Sequence, residues 1–249
     1  MHIKHLVLFT VTICLLASCK KNSGSNSNGS SNKLKMYIET DKVGGTTLTD
    51  TFYVSYDNSN RITGLTAAQL KFVYAYQSKS LTLDLYEYNQ LSIHEIFYLN
   101  SASVVDSTLQ YDNTNDTTTE GYDYNGNLLT SKFTYTYSSS GGTSIDMRDD
   151  YTYDNGGNLL KDVQSDGYGT VNQVTAYTYT THPINVSINP TDEPLQAKYL
   201  PATATLTDGT GSHLGTITYT YTFDGSGRLT KETDAADNGD LVVKTYIYE

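Results

Sequence analysis

Cysteine, proline and positive charge are scarce in this 249-residue chain, and tryptophan is absent. The two cysteines, Cys14 and Cys19, both lie near the start. Everything after residue 19 therefore lacks a thiol, which excludes a disulfide, a cysteine-ligated zinc and a thiol nucleophile there. Without such staples, stability has to come from a packed core, and a chain of this length can supply one. Lysine and arginine total 16 against 27 acidic residues, a net charge of −11. That balance excludes the basic stripe a nucleic-acid partner needs. The longest apolar run, residues 6–16, is only about eleven residues long, whereas a membrane-spanning helix needs ~20. No Gly-x-Ser-x-Gly elbow and no phosphate-binding loop occurs.

The short apolar run follows Met1-His2-Ile3-Lys4-His5 and ends in Leu16-Ala17-Ser18-Cys19. A brief basic start, a short apolar core and small residues before the end are the marks of a removable secretory signal. The last four residues resemble the lipobox of diacylglyceryl-modified bacterial envelope lipoproteins. The resemblance implies cleavage after Ser18, a signal peptide of residues 1–18 and a palmitate-type lipid on Cys19. Loss of residues 1–18 removes Lys4 and no acidic residue, so the remainder is one unit more negative. One acyl chain holds a protein only marginally, and a multiply acylated cysteine meets the need for a second.

Residues 20–33, KKNSGSNSNGSSNK, contain no apolar side chain. With Cys19 they read as a lipidated, flexible tether spanning 19–33, with a typical reach of ~20 Å. No acidic cluster follows Cys19, and in some surface-displayed lipoproteins such a cluster is the export signal. Its absence favours an outer-membrane anchor facing the periplasm over one facing outward.

Residues 34–249 show no second linker and no sustained helical period, so they read as one domain. Leu70, Phe72, Tyr74 and Tyr76 alternate with other residues, as do Leu81, Leu83 and Leu85. Tyr219, Tyr221 and Phe223 share one face of a strand, with Thr218, Thr220 and Thr222 on the other. Period-two patterning puts aromatic side chains on one sheet face and hydroxyls on the opposite one. The 23 tyrosines and many threonines suit such a pleated surface. The fold class is therefore all-β: an antiparallel meander of tyrosine- and threonine-rich hairpins, about twelve to fourteen strands, curved into a barrel or half-barrel so that edges are removed.

The turns recur as well. Tyr56-Asp57-Asn58-Ser59-Asn60-Arg61-Ile62, Tyr124-Asn125-Gly126-Asn127-Leu128, Tyr153-Asp154-Asn155-Gly156-Gly157-Asn158-Leu159 and Phe223-Asp224-Gly225-Ser226-Gly227-Arg228-Leu229 share one logic. Asp accepts backbone N–H bonds, Gly or Asn supplies a positive φ, and an aliphatic residue restarts the buried face. Residues 189–199, with Pro190 and Pro194, break the pattern and read as a loop with one short helical turn before a strand over 201–206.

The stretches Tyr151–Leu159 and Tyr221–Leu229 resemble the tyrosine-aspartate (YD) repeats of Rhs-type proteins. The combination of lipobox, polar tether, tyrosine-rich hairpins, Leu200-Pro201 and the closing segment Tyr219–Leu229 is similar to small Bacteroidota envelope lipoproteins of unknown function. That resemblance implies a porin-like barrel and is silent on activity.

Few residues stand out for chemistry. His94, His182 and His213 are far apart and lack metal-ligand spacing, so neither a metal nor another cofactor is expected. The acidic loops 112–120 and 234–240 lack the full calcium-loop pattern and read as hairpin tips. Tyr151, Tyr153, Tyr219, Tyr221 and Phe223 form the candidate binding face, because rings stack on sugars or peptides while neighbouring polar groups orient them. The opposite reading is that these rings simply fill a curved sheet. The second face, rich in Thr, Ser, Asp and Lys, is not the apolar band of a membrane-spanning barrel. The expectation is thus a barrel held at the membrane by its lipid: a non-enzymatic binding module with a glycan or protein partner. The alternatives are an envelope scaffold and, less favoured, a glycan- or peptide-acting hydrolase.

Overall fold

The computed structural model describes residues 33–112, 117–137, 143–184 and 197–249. The expected signal peptide, the expected lipobox residues Leu16, Ala17, Ser18 and Cys19, the expected tether up to residue 32 and most of the expected loop 189–199 lie outside the described residues. Sixteen strands follow one another: β1 (Leu34–Val43), β2 (Thr46–Tyr56), β3 (Ile62–Thr66), β4 (Leu70–Tyr76), β5 (Ser80–Glu87), β6 (Gln90–Leu99), β7 (Val105–Asp112), β8 (Thr117–Asn125), β9 (Leu128–Tyr137), β10 (Thr143–Tyr153), β11 (Leu159–Asp166), β12 (Val171–Pro183), β13 (Tyr199–Asp208), β14 (His213–Phe223), β15 (Leu229–Ala236) and β16 (Leu241–Tyr248). Each pairs antiparallel with the next, and β1 pairs with β16, so the meander closes into a barrel. Closure leaves no edge strand to recruit another chain.

The expected meander and curvature are present, with more strands than the sequence pattern showed. Lys244 and Glu232 are buried opposite each other on β16 and β15, and Asp149 is buried on β10. Charged side chains on the inner face interrupt the apolar alternation by which strands are recognised.

The even strands end, and the odd strands begin, at the same end of the barrel. There the Asp turns take the form the sequence implied. Asp57 Oδ1 accepts the amides of Ser59 (2.8 Å) and Arg61 (2.9 Å), and Asp57 Oδ2 accepts Arg61 Nε (2.7 Å). Asp154 does the same with Gly156 and Asn158, and Asp224 with Ser226 and Arg228. The third residue after each Asp has a positive φ: 63° at Asn60, 86° at Gly157 and 79° at Gly227. Asn and Gly tolerate that backbone where β-branched residues do not.

Each of these turns is followed by a register shift where the next odd strand begins, as at Ile62, Leu159 and Leu229. A bulge disrupts the ladder locally. Tyrosines from the following even strand bond the carbonyls at these positions: Tyr76 to Ile62 (2.8 Å), Tyr179 to Leu159 (2.6 Å) and Tyr248 to Leu229 (2.8 Å). Tyr124 bonds Val105 (2.6 Å) and Tyr56 bonds Leu34 (2.9 Å) in the same way. The last of these lies beside the seam, where Glu249 N–H also bonds the Lys33 carbonyl (3.0 Å). Residue 33, the last of the segment read as a tether, therefore lies at the Asp-turn end.

Candidate functional site

The barrel interior is graded along its axis. At the Asp-turn end it is packed with Leu and Tyr. Leu129 and Leu159 are 0% exposed, and Leu229 and Leu200 are 1% and 2% exposed. A side chain lining an open channel keeps one side wet, so such burial means that this end is filled. Tyr37 stacks on Phe52 with ring centroids 4.7 Å apart, one contact within this packing.

The five candidate binding residues lie in that filling. Tyr151 and Tyr219 are buried in one apolar cluster, with Tyr153 and Tyr221 half-buried against it. Phe223 packs against a second cluster, together with Tyr221. The structure thus divides the five between two packed clusters that Tyr221 joins, the arrangement that an amphipathic ring in a curved sheet also serves. The described residues that flank β12 and β13 add to the packing at this end. The Lys198 and Tyr199 amides donate to Asn158 Oδ1 (2.8 and 3.3 Å), Ala197 is buried, and His182 stacks on Phe223 (4.8 Å).

Midway along the interior stand two lysines among carboxylates. Lys244 Nζ lies 3.4 Å from both Glu232 and Asp234, and Tyr246 donates to Glu232 (2.9 Å). Lys132 Nζ lies 3.6 Å from both Glu120 and Asp149, and Tyr122 donates to Glu120 (2.6 Å). Burial lifts the Asp234 carboxyl to about 7; Lys244 opposes the shift and the Glu232 charge adds to it. Burial works against the Lys244 ammonium, yet Glu232, Asp234 and Glu39 outweigh it and hold its pKa above the ordinary lysine range. Glu39 and Asp149 are likewise raised, chiefly by burial. Sequence reasoning missed these groups because their members sit on different strands, and only barrel register brings them together.

Beyond this layer the inner face is polar and only partly buried. Asp50, Glu95, Gln110, Gln164 and Gln173 share the inner face with buried neighbours, yet each keeps partial exposure. Carboxylates, amides and a few aliphatic side chains line this half.

The three histidines are held apart. His94 Nδ1 meets Asp84 Oδ1 at 2.5 Å on the outer wall and its ring lies by Tyr111. His213 Nε2 meets Asp237 Oδ2 at 3.0 Å in the turn between β15 and β16, whereas Asp234, read from the sequence as part of that hairpin tip, lies in β15. Among the described residues no group of three or more potential metal ligands occurs. Of the stretch 112–120 read as a loop, residues 113–116 lie outside them, Asp112 ends β7 and Glu120 stands in β8. The outer wall carries threonine ladders. Thr40 and Thr49 hydroxyls meet at 3.1 Å and those of Thr178 and Thr203 at 2.7 Å, with Thr203 paired to Thr218 on the next strand.

The fold has counterparts among solved structures. A porin-like protein from Bacteroides uniformis superposes with a TM-score of 0.61 at 14% identity, over 87% of this chain and 96% of that one. The fold is porin-like. A second porin-like protein, from Bacteroides vulgatus, gives 0.60 at 13% identity, over 87% and 98% of the two chains. No family model matches the chain, and no curated protein matches it. At this identity the likeness speaks for the porin-like fold alone.

Proposed function

We propose that the protein is a lipid-anchored barrel of the bacterial envelope, held at the outer membrane through Cys19, that works as a non-enzymatic binding or interaction module. The observation that carries this reading is the difference between the two barrel ends. The tether enters at the end filled with Leu and Tyr, which leaves the polar end free for an encounter. The threonine ladders of the outer wall support an anchored barrel over a spanning one, whose lipid-facing band would be apolar. The carboxylates and amides of the polar half suit a hydroxyl-rich ligand such as a glycan, since they offer both acceptors and donors.

Two measurements test this. Cys19→Ser moves the protein from the membrane to the soluble fraction; continued membrane association overturns the anchor. A thermal-shift series on the anchored protein in detergent, with chito-oligosaccharides and peptidoglycan fragments, reads binding. A ligand held only by the folded state raises the melting temperature in proportion to the logarithm of its concentration once in excess.

A scaffold role is the second reading, favoured by the placement of Tyr151 and Tyr219 in the core. A flat thermal-shift series combined with a Cys19-dependent membrane location would favour it.

A further inference from the structure

We propose that the rim opposite the tether is a docking surface for a protein partner that presents apolar side chains framed by lysine or arginine. This rests on the interaction reading above and names the partner's chemistry.

The large hydrophobic side chains left in water are unevenly placed. Tyr168, Tyr88, Leu48, Leu214, Val43 and Leu91 are 98, 69, 63, 56, 55 and 47% exposed, and all six lie in turns or strand ends of that one rim. Among the described residues the tether half exposes Tyr53, Leu160 and Tyr98 at such a level, 56, 43 and 42%. Scattered single apolar residues need no explanation, but a crown gathered at one end marks an interaction site. Tyrosine suits such a role, since it supplies large contact area with few rotors to freeze.

The same rim is acidic. Asp166 and Asp208 form its turns, each Oδ1 accepting two backbone amides, and Asp237 and Asp240 occupy the β15–β16 turn. The Thr210 hydroxyl and the backbone amides hold the Asp208 pKa below the ordinary range, and the Thr170 and Tyr168 amides do the same for Asp166, so both stay ionised at neutral pH. Carboxylates between the apolar groups disfavour two alternative occupants. An anionic lipid surface repels them, and so does the same rim of a second copy. A basic, apolar protein surface fits both features.

The test uses the full-length, lipidated protein in its own membrane. A photo-crosslinking phenylalanine analogue replaces Tyr168 in one variant and Asn58, at the tether end, in another. The expected result is a protein adduct from position 168 but not 58. It falls at least fivefold in Leu48→Ser/Leu214→Ser, falls again at high salt, and maps to a lysine- or arginine-rich face. Adducts to lipid, adducts to a second copy, adducts indifferent to the double variant, or no adduct at 168 would each overturn the proposal. Fractionation of the same sample separates this outcome from failure of the anchor: loss of Cys19 lipidation shows as soluble protein, whether or not position 168 crosslinks.

Discussion

Tyr248 at the end of β16 donates its hydroxyl to the carbonyl of Leu229, the first residue of β15, at 2.8 Å. The β14–β15 register shifts beside Leu229, so the tyrosine serves a carbonyl at a point where the ladder is disturbed. The same bond recurs at Tyr56, Tyr76, Tyr124 and Tyr179. It gives a physical reason for tyrosine, rather than phenylalanine, at the ends of these strands.

Tyr248→Phe therefore removes one hydrogen bond and leaves a half-buried carbonyl without its partner. The expected loss is ~1 kcal/mol, since net bonds of this kind contribute about 0.5–1.5 kcal/mol. Tyr53→Phe, at a residue 56% exposed, is the control and should change stability by less than about 0.5 kcal/mol. Urea midpoints of the two variants decide it; equal midpoints would contradict the role given to the hydroxyl.

The Asp turns give a second expectation. Asp224→Ala frees the amides of Ser226 and Arg228 and the Arg228 guanidinium. By analogy with capping side chains, a lower urea midpoint follows. Asp224→Asn should retain most of the stability, because its amide oxygen still accepts the backbone bonds.

Much of this was legible in the sequence, and the limits are instructive. The hairpin turns could be read because Asp, Gly and Asn do local work within a few residues. The alternation at Tyr219, Tyr221 and Phe223 fixed a shared face, but alternation alone does not say whether that face points inward. The closed seam was not legible, because β1 and β16 are distant in sequence and nothing local encodes their register. The Lys244 and Lys132 groups were hidden for the same reason.

Breaking the interior ion group should be costly. Lys244 is 5% exposed and is held by Glu232 and Asp234. Lys244→Met leaves buried carboxylates uncompensated, and removal of one member of such a pair typically costs about 3–5 kcal/mol. Adding Glu232→Gln to that variant should recover part of the loss. No recovery in denaturant melts would mean that the two charges are not coupled.

Stability should also depend on pH in a defined direction. Burial holds Asp234 near 7 in the folded barrel, against about 3.9 for an unfolded aspartate. Between those values the folded state keeps a proton that the unfolded state releases, so the contribution of this group to stability falls as pH rises from about 4 to 7. Asp57, Asp154 and Asp224 act in the opposite sense. Their hydrogen bonds hold them below the ordinary carboxylate value, so the stability they add is complete above it and is lost as pH falls. Asp234→Asn should raise the melting temperature by a few degrees at pH 7.5, on the scale of about 2–4 °C per kcal/mol for a domain of this size. At pH 4 it should change it little. An equal shift at both pH values would contradict the assignment.

The anchored-barrel account meets its most direct test in cleavage of the tether. A protease site replaces residues 24–29 in the full-length protein, and native membranes are treated with the protease. The account predicts that a folded barrel containing residues 34–249 leaves the membrane for the supernatant. A barrel that stays with the membrane after complete cleavage would contradict it and show that the wall itself is embedded in lipid.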